Sequence, residues 1–292
     1  MGFIMKTSNF PDWGVIVVSG LDRAEFLHNQ LSNDIKNLAI GQGCFATYNT
    51  PQGRVSAHLT VFPRDNDICM IASCDLLDSL IKRLQMFVLR SQVNLAIADN
   101  LAVTVTLPEN EDLFYTLPQE AVLSFPVKFT DNGIEIHLPH AGIVGVVEKG
   151  KSPSFNPEIV DRWKRYEIMQ GFPHICKNTA NLFVAQMLNQ HLLGGIHFRK
   201  GCYPGQEVIA RSQYIGEVKR GLVLCRCQML LEAGCKIIDE DKNNVGTVLD
   251  SVIDTDGNSV CLCVIKYDAI SKTISTDSGL FMQIEQIFFI KK

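Results

Sequence analysis

Cys202 stands in the stretch Leu192-Leu-Gly-Gly-Ile-His-Phe-Arg-Lys-Gly-Cys-Tyr-Pro-Gly-Gln-Glu-Val-Ile-Ala-Arg211, two residues after Lys200 and three after Arg199. Nearby cations favour thiolate over thiol, and the thiolate is the nucleophile, so this is the cysteine best placed to react. Ile196 and Phe198 read as the end of a strand. Tyr203-Pro-Gly-Gln206 has the Pro and Gly of a type II turn, which would hold the sulfur near the surface. Gln206, Glu207 and Arg211 add polar groups within a few residues. The same residues would also serve a tight turn beside a buried cysteine, and chemistry alone leaves both readings open.

The other nine cysteines are 44, 69, 74, 176, 225, 227, 235, 261 and 263, with no C-x-x-C among them. Cys225/Cys227 and Cys261/Cys263 lie in apolar, strand-like runs, where period-2 spacing puts both thiols of a pair on one face. They read as small core hydrophobes rather than a four-thiolate zinc site, whose usual ligand spacing is different. No metal is expected. The opening Met1–Pro11 has no basic flank followed by an apolar core, so reduced thiols and a cytoplasmic location are expected. No apolar run is long enough to span a bilayer, and no membrane role is expected. A net charge of −4 gives no overall attraction to nucleic acid, so direct nucleic-acid binding is not expected.

These groups need a frame to position them. Gly14–Ser19 reads as a strand, followed by Asp22 capping a helix from Arg23 to Leu31. Gly43–Asn49 and Val55–Phe62 read as a hairpin about the turn Thr50-Pro-Gln-Gly53. Asp75–Leu89 has helical spacing, with Leu76, Leu77, Leu80, Leu84, Phe87 and Val88 facing inward. Strands follow at Val93–Ala98, Leu101–Thr106, Pro126–Phe129 and Ile134–Leu138, and a helix from about Glu158 to Gln170. Glu109–Ser124 has little period. From Val218 onward, short apolar runs alternate with turn residues and no helical period, the mark of a small antiparallel barrel. The fold class expected is α+β with mainly antiparallel sheets, divided into 1–217 (two lobes) and 218–292 (the barrel).

Lys200-Gly-Cys-Tyr-Pro-Gly-Gln-Glu207 resembles the signature of the YgfZ family, folate-binding relatives of the glycine-cleavage T protein, usually K-G-C-Y-T-G-Q-E; Pro204 replaces Thr. Phe183-Val-Ala-Gln-Met-Leu-Asn189 resembles the family's F-x-P-Q-x-x-N, with Ala185 for Pro. Arg162–Pro173 resembles the preceding helix and its G-F-P turn. Val18–Leu27, Gln30–Asp34 and Thr50–Arg54 resemble the entry helix and first hairpin.

The resemblance implies a T-protein-like, multi-lobed fold around a central cavity that binds tetrahydrofolate or another folate. It implies that Trp13 and Trp163, the only two tryptophans, line that cavity. Tyr203, Gln206 and Glu207 join them as candidate folate contacts, with Cys202 the functional thiol and Lys200 its partner. The T protein's acidic pair aligns with Ala57 and His58, which argues against aminomethyl transfer. His58 could titrate near neutrality, yet on an alternating strand it is expected to face solvent. The T protein's pterin-reading Glu aligns with Met169; Glu167 could replace it, but lies about 200° away around the helix. The function implied is an accessory role toward iron–sulfur enzymes or their assembly machinery, with an indirect effect on tRNA modification. A one-carbon transferase and a thiol-based redox protein are the competing readings.

Overall fold

The structure, a computed structural model, describes residues 7–107, 121–139, 142–216 and 218–289. Its first part contains β1 (Thr7–Asn9), β2 (Trp13–Ser19), α1 (Arg23–Gln30), β3 (Gln42–Asn49), β4 (Val55–Pro63), β5 (Asp67–Ser73), α2 (Leu77–Gln85) and β6 (Asn94–Ile97). It continues with β7 (Leu101–Thr106), β8 (Phe125–Thr130), β9 (Gly133–His137), β10 (Ile143–Glu148), α3 (Pro157–Met169) and α4 (Gln206–Tyr214). The described strands form one ten-stranded sheet in the order β1-β7-β10-β9-β8-β3-β4-β5-β2-β6. Its two halves meet through two residue pairs, Gln42↔Pro126 and Gly43↔Phe125. One apolar core, with Leu27, Leu59 and Leu84, lies under α1 and α2; a second, with Phe45, Ile136 and Trp163, joins the other half-sheet to α3.

Six further strands close into a barrel: β11 (Arg220–Cys227), β12 (Lys236–Asp239), β13 (Asn244–Ile253), β14 (Ser259–Lys266), β15 (Ile274–Thr276) and β16 (Phe281–Ile287). The fold is thus α+β with antiparallel sheets and a small C-terminal barrel. Cys225, Cys227, Cys261 and Cys263 are buried in the barrel interior with Val223, Val248 and Ile265. Among the described residues, no group of three or more His, Cys, Asp or Glu is arranged to hold a metal ion. Nor is any described helix long and apolar enough to cross a membrane. The division expected at 217/218 falls between α4 and β11; residue 217 itself lies outside the described residues, as does most of the loose stretch expected at 109–124.

Several local expectations are corrected. The helix expected over Asp75–Leu89 is a 3-10 turn, Cys74–Leu76, followed by α2, which ends at Gln85. Leu76, Leu77, Leu80 and Leu84 are buried, but Phe87 lies past the helix end and is 37% exposed. The chain then leaves helical geometry through Leu89 at φ 44°. Asp22 precedes α1 without capping it; its Oδ2 accepts the Gln92 N–H at 2.7 Å. No strand forms around Ile196 and Phe198: this stretch runs in turns, and Ile196 is buried by tertiary packing. β5 and β10 had no clear period-2 signal because consecutive residues are buried in each, as expected where both faces of a strand are covered.

Candidate functional site

A cavity of about 370 Å³ opens where β4, β5, α3 and the barrel meet, within the range usual for small-molecule sites. Trp13, the first residue of β2, pairs in register with Ser73 of β5 and lines the cavity. Its ring lies 4.6 Å from that of Phe10 and 4.7 Å from His174. His58 also lines the cavity and is 7% exposed, contrary to the solvent-facing position expected from strand alternation. β4 runs between β3 and β5 with material on both faces, so Ala57 and His58 are buried together. The His58 ring stands 5.3 Å from Phe45 and 5.2 Å from Phe172.

α3 starts with Asn156 as N-cap, its Oδ1 accepting the Ile159 N–H at 3.3 Å, and with Pro157 in the first turn, where a missing N–H costs nothing. Helical geometry then puts Glu167 and Met169 on opposite sides. Glu167, 2% exposed, is the one at the cavity, whereas Met169 packs on the core below α1 and α2. Glu167 Oε2 lies 2.9 Å from His174 Nε2. Burial disfavours charge on His174, but the Glu167 carboxylate outweighs it and holds the imidazole above its ordinary range. Lys164, one turn earlier, donates to Asp12 Oδ2 at 2.5 Å. From the barrel come Ala233, Leu249 and Asp250, and burial pushes the Asp250 carboxyl up.

Trp163 does not line this cavity. It is 0% exposed, in the core with Phe10, Phe45 and Phe172, and its indole N–H has no hydrogen-bond partner among the described residues. Nor do Lys200, Cys202, Tyr203, Gln206 or Glu207 line it. That motif is built elsewhere, as a turn seated on the β3–β4 hairpin. Gln206 N–H donates to the Tyr203 carbonyl at 3.2 Å, and Gly205 at φ 80°, ψ −1° completes the type II turn. A Cβ on Gly205 would come within 2.7 Å of Gly53 Cα and 2.6 Å of the Thr50 carbonyl oxygen, so glycine is required by conformation and by space. Lys200 Nζ donates to the carbonyls of His28 and, at 2.6 Å, of Leu31, and lies 5.0 Å from the centre of the Tyr203 ring. Burial lowers the Lys200 ammonium to about 8. Cys202 is exposed, Gln206 and Glu207 open α4, and Glu207 is exposed.

Sequence reasoning missed Asp12, Lys164, His174 and Asp250. His174 carries a local signal, following directly on the Gly171-Phe-Pro173 turn, and Lys164 follows Trp163. Asp250 carries none, because only the packing of the barrel brings it to this cavity.

No family model matches the chain. It is 28% identical over 278 residues to the tRNA-modifying protein YgfZ of Hamiltonella defensa, covering 88% of this chain and 82% of that protein. Similarity to the tRNA-modifying protein YgfZ of Klebsiella pneumoniae is 29% over 280 residues, with 88% and 84% covered. With that of Yersinia pestis, strain Pestoides F, identity is 25% over 293 residues, with 94% and 88% covered. Among solved structures, the glycine cleavage system aminomethyltransferase T of Bartonella henselae superposes with a TM-score of 0.67 at 12% identity, over 98% of this chain and 86% of that one. Similarity over most of both chains and the octapeptide at Lys200–Glu207 together make this chain a relative of the YgfZ proteins, folded like the aminomethyltransferase.

Proposed function

We propose that this chain is a tetrahydrofolate-binding accessory factor that supports the assembly or repair of iron–sulfur proteins in the cytoplasm, and through them tRNA modification. The observation that carries the folate reading is the cavity at Trp13. Its aromatic face, the Phe10 ring and the apolar Ile71 and Leu249 suit a flat pterin, and the buried Glu167 carboxylate suits the N–H donors of a pterin edge. The residues present therefore fit a reduced folate. The curated relatives bear the name tRNA-modifying protein, which supports the second half of the reading; the iron–sulfur half rests on the motif around Cys202.

Aminomethyl transfer is disfavoured, because β4 offers Ala57 and His58 where the T protein has its acidic pair. Robust tetrahydrofolate-dependent release of ammonia from an aminomethylated carrier protein would reverse that view. A thiol-based redox role is favoured by one observation, the exposure of Cys202 away from the cavity. The deciding experiment is titration with tetrahydrofolate while tryptophan fluorescence is followed. Saturable quenching is expected, lost in Trp13→Phe and kept in Trp163→Phe. Binding that survives unchanged in Trp13→Ala would remove the ligand from this cavity.

A further inference from the structure

Of the charged groups around the cavity, Asp250 has the fewest partners among the described residues. Lys164 is committed to Asp12, and His174 to Glu167. Asp75 Oδ1 accepts the Ser73 hydroxyl at 2.8 Å, and its Oδ2 accepts the Lys177 N–H at 2.9 Å. The one hydrogen bond to Asp250 among the described residues comes from the Ser251 N–H to Oδ1, at 2.8 Å. The charged groups acting on it are Lys164, His174 and Glu167, all from the facing α3 side and already engaged with one another or with Asp12.

The backbone presents this carboxyl by a specific device. In β13, Val248 pairs with Cys263 and Asp250 with Leu262, so Leu249 is an extra residue, a bulge. On a regular strand Leu249 and Asp250 would point to opposite faces, whereas here both line the cavity. A bulge beside a site is a common means of re-aiming a side chain. It gives the cavity an acid from the barrel, although β4 has none at Ala57 and His58.

Resting on the folate reading above, we infer that Asp250 is a ligand-contacting, specificity-determining residue, and that it selects folates whose one-carbon unit is a cation bridging N5 and N10, of the 5,10-methenyl type. A half-buried carboxyl lining the cavity, with no protein cation to itself, is satisfied by positive charge on the ligand. The aromatic faces of Trp13 and Phe10 favour a cation as well, and Lys164 Nζ already lies 5.7 Å from the Phe10 ring centre. An N5-formyl folate brings a neutral ring and a carbonyl oxygen, which a carboxylate repels.

The test compares freshly dissolved 5,10-methenyltetrahydrofolate with 5-formyltetrahydrofolate by stopped-flow tryptophan quenching, before the methenyl bridge hydrolyses. The full-length parent should bind the methenyl form tighter by on the order of tenfold or more, as expected for a partly desolvated charge contact. Asp250→Asn, checked for folding by its thermal melt, should lose most of that preference while its affinity for the formyl form changes less than about twofold. Equal affinities in the parent, or a preference that persists in both Asp250→Asn and Asp250→Ala, would overturn this inference and leave folate binding intact. A parent that binds neither compound would overturn the folate reading, and this inference with it.

Discussion

At the scale of single residues, His174 and Glu167 form the buried ion pair most open to measurement. His174 is held above the ordinary imidazole range by Glu167, so the pair's contribution to stability is fully present below about pH 6.5, the usual unfolded value. It is lost as pH rises through the raised native value. Glu167→Gln should drop the His174 titration below its ordinary range in an NMR experiment, because burial, the largest influence on it, then outweighs the remaining pull of Asp250. The same variant should flatten the difference in melting temperature between pH 6 and pH 8; an unchanged His174 titration would show that the pair does not form. Cysteine reactivity gives a second test. Cys74 and Cys202 are the two exposed thiols, and burial together with Asp12 and Asp75 pushes Cys74 up. Burial pushes Cys69 and Cys261 up to about 12. Alkylation at pH 7 should therefore mark Cys202 first, as read by peptide mass spectrometry. Cys202→Ser should fold normally yet fail to restore iron–sulfur enzymes in a deletion strain; full restoration would reduce the motif to turn architecture.

At the scale of elements, the family-like motifs act as fasteners between segments. Lys200 closes the C-terminal end of α1, where helix carbonyls lack intrahelical partners. Gln186 Nε2 donates to the Ile209 carbonyl of α4 at 2.6 Å, and Asn189 Nδ2 to the Phe288 carbonyl after β16 at 2.6 Å. Lys200→Met should cost about 1–3 kcal/mol, the range for stranding buried acceptors, in urea unfolding. It should leave folate affinity unchanged, since Lys200 does not line the cavity. A loss of binding without loss of stability would instead give Lys200 a direct part in the site. Trp163→Ala should cost about 3–5 kcal/mol, as for other buried aromatics, and so weaken binding only through the fold.

At the scale of the molecule, the cavity exists because the barrel is docked on α3. Arg165 Nε donates to Asp254 Oδ1 at 2.5 Å, and Arg226 bonds Asp254 Oδ2 at 3.0 Å and Glu285 at 2.7 Å. Asp254 is thus a shared anchor between α3 and the barrel. Arg165→Ala should loosen the docking and speed proteolytic cleavage between α4 and β11. Saturating folate should slow that cleavage, because its cavity draws residues from both sides. At a hundred times Kd the ligand should add about 2.7 kcal/mol to unfolding. Cleavage insensitive to folate would mean that the ligand does not bridge the two parts.

Much of this was legible in the chain itself, for physical reasons. The octapeptide, the type II turn at Pro204-Gly205 and the span of α3 depend on neighbours a few residues apart, and local order shows locally. The barrel could be read from its turn spacing, and the inward thiols of β11 and β14 from period 2. Tertiary structure decided the site. Which of Glu167 and Met169 meets the cavity depends on what α3 packs against, although the angle between them follows from helix geometry. His58 departs from the expected alternation because cover on both faces of β4 removes the solvent side. Asp250 reaches the cavity through a bulge and a docking contact made by segments far apart in sequence. Such contacts leave no period or spacing in the chain, so only the assembled fold could reveal a carboxyl facing Trp13 and α3.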